Sequence, residues 1–230
     1  SYRVDGGPER LGIEDLVGLG DPPRPLLAFL PSGLLDASCP GLAGGPPDWL
    51  AGEVAAAQAL ALGADLVVLP GDRLLGGPQL GLILGRADLV ARCARHPLAR
   101  ALRPGPLVLD AAQQVAVAHL EGAIGALPLW RLATTPVDEL ARRAATLGVG
   151  EVITTEAAVG DDVLPGIYIP SAAVALDGDH RVALRACVPP VLANVVDGRT
   201  ILDLRAVEAA DDPAVAHAAH LVVGMAAEGP

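Results

Sequence analysis

Aromatic side chains are nearly absent from this chain, making up 2% of its 230 residues. Single-stranded nucleic acid is held on platforms of exposed rings, and so small a supply argues against such a surface. Positive charge is short as well, leaving a formal net charge of −11. That field repels a polyanion unless a local basic patch or a further segment overrides it. Cysteine is scarce: Cys39, Cys93 and Cys187 are far apart and odd in number. This fits a reducing cytosol better than a disulfide framework, so a cytoplasmic location is expected. Long apolar runs are lacking too, despite a mean hydropathy of +0.45. Residues 54–64 are Ala-rich but interrupted by Gln58, and 66–70 and 80–85 are strand-sized. All fall short of the ~20 apolar residues of a spanning helix, so no membrane partner is expected. No charged-then-apolar start resembles a signal peptide.

What is present is aliphatic. Hydrophobic residues form 52% of the chain, enough for one large domain or two small ones with a core of Leu, Val, Ala and Ile. Residues 13–19 read as a short helix closed by the Gly20-Asp21-Pro22-Pro23 breaker, and Tyr2-Arg3-Val4 reads as a strand-like start. Residues 26–30, 65–69 and 80–84 are continuous apolar runs, the pattern of strands buried on both faces. Helices are expected at 49–62, between the first two runs, and from 86 to 93, after the third. Strand and helix in alternation predict a layered α/β sheet, whose sites lie in loops beyond the strand ends. The loops at 31–33 and 70–79 are therefore the places to look.

Beyond Pro104 the character changes. Helices are expected at 107–120, 136–147 and 207–225, and strands at 151–155, 172–176, 191–196 and 200–204. The last two strands flank Asp197-Gly198-Arg199, a hairpin turn. The expected organisation is an α/β part over 1–104 and a smaller α+β domain over 105–230.

Several segments carry more information than composition does. GDRLLGGPQLGLILGR (71–86) is followed by HPLARALR (96–103), then LWRLATTPVDELARRA (129–144), LPGIYIPSAAVAL (164–176) and VVDGRTILDLRAV (195–207). In order and spacing they resemble bacterial selenocysteine synthase, the L-seryl-tRNA(Sec) selenium transferase family. The resemblance covers nearly all of the chain. It implies a pyridoxal-phosphate (PLP) transferase of fold type I: here the C-terminal part of the large domain plus a small α+β domain. It also implies PLP as cofactor, a homo-oligomer (a dimer or larger ring), and tRNA(Sec) as partner through an N-terminal region. The chain opens on Ser1 and resembles only the C-terminal half of the family.

The resemblance also sets out departures. Where the family has Ser-Gly-Asp-Lys, with the lysine forming the Schiff base, this chain has Pro70-Gly71-Asp72-Arg73. A Schiff base needs a neutral primary amine, and a guanidinium stays protonated and delocalised. Where the family has Asp-Leu-Gly-Ser-Gly, this chain has Phe29-Leu30-Pro31-Ser32-Gly33, so Phe29 replaces the carboxylate that holds the pyridine nitrogen protonated. On the resemblance, Ser32, Gly33, Asp72 and Arg73 are the cofactor-side residues, with Arg73 an inactive replacement for the catalytic lysine. Arg100 and Arg103 match family arginines for the anionic selenium donor, and a helix would place both on one face. Covalent PLP binding is not expected.

Plainer readings stand beside these. Arg73 is also a salt-bridging relic, Gly76-Gly77-Pro78 a tight turn, and His96 a helix cap ahead of Pro97. His119, His180, His217 and His220 make no metal set. Three functions follow: a family member impaired in PLP chemistry, a non-catalytic structural or regulatory subunit paired with an active homologue, or an active transferase with displaced catalytic groups.

Overall fold

The computed structural model describes residues 11–20, 24–160 and 163–228, so the strand expected at Tyr2-Arg3-Val4 and the breaker residues 21–23 lie outside it. Two compact units emerge. The first runs to Arg131 and includes Gly160–Ile167; the second comprises Leu132–Val159 and the chain from Tyr168 onward.

In the first unit, α1 (Ile13–Leu16) is shorter than expected, and Gly18 at φ +76° follows it. Strand β1 (Leu27–Phe29) leads through a long Gly/Pro loop to α2 (Ala56–Ala61) and β2 (Leu66–Pro70). The single helix expected at 49–62 is instead a 3-10 turn at Asp48–Leu50 followed by α2. Gly52 at φ +83° separates them, a conformation that a continuous helix does not allow. The loop 71–80 leads to β3 (Gly81–Gly85), and the helices α3 (Ala87–Arg95), α4 (Pro97–Ala101) and α5 (Pro106–Leu120) follow. The sheet order is β1-β2-β3, β1 parallel and β3 antiparallel to β2.

Only β2 is enclosed as its apolar run predicts; β1 and β3 leave alternate residues exposed. The reason is position: β2 is central, and the other two are edges whose second face has no cover among the described residues. The covered face carries Ala28, Leu30, Val67, Leu69, Leu82 and Leu84, packed with Ala56 and Ala59 of α2 and Val115 of α5.

The boundary expected at 104/105 differs from this division, which runs after Arg131, and the intervening residues pack on the sheet unit. The His119 Nε2 lies 3.0 Å from the Leu75 carbonyl oxygen, and the buried Trp130 Nε1 donates to the Leu74 carbonyl at 2.9 Å. Trp130 also stacks on Trp49, ring centres 6.1 Å apart. It sits in α6 (Pro128–Thr134), a helix the apolar pattern did not reveal.

The second unit is a four-stranded antiparallel sheet in the order β4-β5-β7-β6, from β4 (Glu151–Ala158), β5 (Tyr168–Asp177), β6 (Asn194–Val196) and β7 (Arg199–Asp203). Helices α7 (Val137–Thr146), α8 (Arg181–Ala186) and α9 (Asp212–Glu228) complete it. Its core joins Leu140 and Ala144 to Val174, Leu176, Leu184, Leu202 and Val222. β4 and β5 outrun their expected limits because they pair over eight residues. β6 is shorter than 191–196, being an edge strand that pairs only through Asn194–Val196. The turn expected at Asp197-Gly198-Arg199 is made by Asp197 (φ +50°) and Gly198 (φ +76°) alone, and Arg199 opens β7. The α/β class read from the sequence stands: a mixed-sheet α/β unit and a smaller α+β unit.

Candidate functional site

The two loops beyond the strand ends meet, and the chemistry of their backbones explains how. At the end of β1, the Leu30 amide donates to the Val68 carbonyl at 2.9 Å, and the chain turns so that the Gly33 amide reaches back to Leu30 O at 3.3 Å. Gly33 has φ +73°, and a Cβ there would stand 2.7 Å from Pro70 O and 3.2 Å from the Arg73 Cβ. Only glycine permits that contact. The Leu74 amide then donates to Ser32 O at 2.9 Å, tying the loop after β1 to the loop after β2.

The second loop is bonded to itself. Gly71 N donates to Leu80 O, Gly76 N to Arg73 O and Gly77 N to Gly71 O, each at 2.8 Å. Gly76-Gly77-Pro78 therefore belongs to a closed turn whose glycine amides are spent on carbonyls, which removes them as donors to a phosphate.

Between the loops lies a cleft of about 500 Å³ lined by Phe29, Pro31, Pro70, Asp72, Arg73, Gln79, Leu80 and Gly81. The structure thus brings Phe29, Asp72 and Arg73 to one place. Arg73 is half-buried and Asp72 exposed. Ser32 and Gly33 form the buried turn behind this wall, and the Ser32 Oγ has no hydrogen-bond partner.

Arg100 and Arg103 are not among the lining residues. The helix α4 ends at Ala101, so Arg103 lies outside it and the expected shared helical face does not form. Pro104 accounts for this, since the residue before a proline is disfavoured in helical geometry. Both arginines are exposed. His96 caps α4, its Nδ1 accepting from the Leu98 amide at 3.2 Å. His220 Nε2 lies 2.9 Å from Leu147 O, and no group of three His, Cys, Asp or Glu among the described residues is arranged to hold a metal ion.

All 16 basic residues of the chain are arginine, so it contains no lysine at all. A simple count reveals it, and it extends the observation at position 73 to every side chain. No helix among the described residues is long and apolar enough to cross a membrane.

Comparison with known proteins agrees with the motifs. The family model for L-seryl-tRNA selenium transferase (SelA) matches residues 2–208. The L-seryl-tRNA(Sec) selenium transferase of Carboxydothermus hydrogenoformans is 32% identical over 90% of this chain and 47% of its own length. Those of Klebsiella pneumoniae and Geobacter metallireducens are 34% and 30% identical, matched over 48% and 50% of their lengths. The chain spans about half the length of these curated relatives. Among solved structures, a D-glucosaminate-6-phosphate ammonia-lyase aligns with a TM-score of 0.55 at 19% identity, covering 95% of this chain and 54% of that one; this is a likeness of fold. With the family model matched along most of its length, the chain belongs to the L-seryl-tRNA selenium transferase family.

Proposed function

We propose that this chain is a selenocysteine synthase-like polypeptide in which covalent PLP chemistry is impaired. One observation carries the reading: the cleft between the loops holds Arg73 and Phe29, and no lysine exists elsewhere in the chain to take the cofactor. A guanidinium offers no neutral amine to an aldehyde. A phenyl ring cannot keep a pyridine nitrogen protonated, and so cannot help PLP act as an electron sink. The residues present do not fit a covalently held PLP. What they offer is the Arg73 guanidinium and the Asp72 carboxylate beside an apolar wall of Phe29, Pro31 and Leu80.

The remaining features of this reading rest on family membership. They are a seryl-tRNA substrate, a cytoplasmic location, a homo-oligomeric assembly, and an architecture of large-domain remainder plus small C-terminal domain. Arg100 and Arg103 are its anion-binding arginines. Selenophosphate protection against thermal unfolding, abolished in Arg100→Ala and Arg103→Ala, tests that role.

The decisive experiment is borohydride reduction of the protein mixed with PLP, followed by peptide mass spectrometry. Without lysine, the α-amine is the one primary amine in the chain, so the background is low. The expected result is no pyridoxyl mass on any internal peptide. A pyridoxyl group on the peptide holding Arg73 ends the proposal. The double variant Arg73→Lys with Phe29→Asp should gain the adduct.

A further inference from the structure

The carbonyls of the loop after β2 find their donors in two different places. Within the turn, Arg73 O accepts from the Gly76 amide and Gly71 O from the Gly77 amide, each at 2.8 Å. Leu74 O and Leu75 O meet no backbone amide among the described residues. Both leucines are buried, and a buried carbonyl left without a donor is costly. Two side chains from outside the loop supply what is needed. Trp130 Nε1 of α6 donates to Leu74 O at 2.9 Å, and His119 Nε2 of α5 lies 3.0 Å from Leu75 O. A carbonyl only accepts, so that Nε2 carries the hydrogen.

The support is itself braced. Trp130 is buried and stacks on Trp49. A Cβ at Gly76 would stand 3.2 Å from Leu127 Cδ1 and 3.7 Å from Trp130 Cδ1, and one at Gly77 3.5 Å from Val115 Cγ2. The loop therefore lies directly on α5, Leu127 and Trp130. From the other side the Leu74 amide donates to Ser32 O at 2.9 Å, so the main chain at Leu74 is pinned through both its amide and its carbonyl. Asp72 and Arg73, the two residues just before, line the cleft. The geometry points to His119 and Trp130 as positioning residues of that cleft. By holding the two successive carbonyls after Arg73, they fix the backbone from which side chain 73 enters. Neither residue lines the cleft, so both act through the loop, as the shell behind a site holds its groups to a set geometry. This role rests on the reading of the cleft as the functional site, and belongs to whichever side chain stands at 73.

The test places a nitroxide label at position 73 through Arg73→Cys, with Cys93→Ser and Cys187→Ser to make the site unique. Cys39 is buried, and burial pushes its thiol pKa up, so it escapes labelling. Trp130→Phe keeps a ring and removes one donor; His119→Leu removes the other. Each should free the label, seen as a narrowed electron paramagnetic resonance spectrum. In the unlabelled chain each should also speed hydrogen exchange at the Gly76 and Gly77 amides about tenfold. His119→Gln, which can still donate to Leu75 O, should restore the parent behaviour. Val67→Ala, a buried change in β2 outside the loop, lowers stability and should leave both readings unaltered. A label and amides that stay ordered in Trp130→Phe and His119→Leu overturn the proposal. So does an equal release by Val67→Ala, which would make the role one of general stability. A glutamine at 119 that behaves as leucine does removes His119 from the role. No PLP enters the experiment, so its failure is separate from failure of the functional reading.

Discussion

Gly33 shows how one residue holds the candidate site together. Its φ of +73° and its approach to Pro70 O leave no room for a methyl group. Gly33→Ala should cost about 1–3 kcal/mol, read as a lower urea midpoint, with faster hydrogen exchange at the Leu74 amide that Ser32 O receives. Unchanged exchange at Leu74 would mean the loops do not depend on that contact. Arg205 is a second case. Its buried guanidinium donates to the carbonyls of Leu132, Ala133, Thr135 and Pro170, closing the end of α6 onto the start of β5. Burial pushes its pKa down, although Asp203 nearby opposes this. Arg205→Met fills the space but strands buried carbonyls, at about 1–3 kcal/mol of stability, measured by thermal unfolding. At this scale the sequence was readable where a motif named the residue, as at Arg73 and Phe29. Arg205 was opaque because its partners are backbone atoms up to 73 positions away, and backbone atoms leave no trace in composition.

Elements were legible in proportion to how local their causes are. The 107–120 helix came through almost unchanged as Pro106–Leu120, with its proline at the first turn. The 49–62 helix did not: Ala and Leu propensity ran through a glycine whose backbone is left-handed here. The helix carrying Arg100 stops at Ala101, short of Arg103, for a like reason, because Pro104 outweighs the helical spacing. The two long antiparallel strands exceeded expectation because pairing between them, absent from local sequence, extends them. One contact between elements offers a quantitative check. Arg143 of α7 forks onto Asp212, the first residue of α9, with Nε–Oδ2 at 2.9 Å and Nη2–Oδ1 at 2.8 Å, and also reaches Val207 O. Both side chains are largely buried, so removing one strands the other. Arg143→Met should cost about 3 kcal/mol, read in chemical unfolding. Asp212→Asn should cost less, because an amide oxygen still accepts from the guanidinium.

For the molecule as a whole, the acidic excess sets the pH response. Among the described residues, three aspartates are held below the usual carboxylate range by specific partners. Asp65 is lowered by the Arg86 guanidinium and by the Leu26 amide, Asp36 by Gln58 and Ser38, and Asp179 to about 2 by Arg181. Asp65 matters most to the fold, since its two oxygens join the start of β1 at Leu26 N (2.8 Å) to Arg86 at the end of β3 (2.8 Å). A carboxylate with a depressed folded pKa contributes stability that is complete above its unfolded pKa, near 3.8, and is lost as pH falls through the folded value. Self-repulsion in a chain of net charge −11 at pH 7 eases as pH falls toward the isoelectric point near 4.7, and below it repulsion of the opposite sign builds up. Between pH 7 and 5 the aspartate contacts hold while the self-repulsion eases, so the melting temperature should not fall. From about pH 4 toward 2 the Asp65 and Asp179 contacts are lost while the chain grows net positive, so stability should fall. Asp65→Asn should lower the melting temperature at pH 7 and flatten the acid limb. An acid limb as steep in Asp65→Asn as in the parent would assign the loss to the diffuse acidic surface instead.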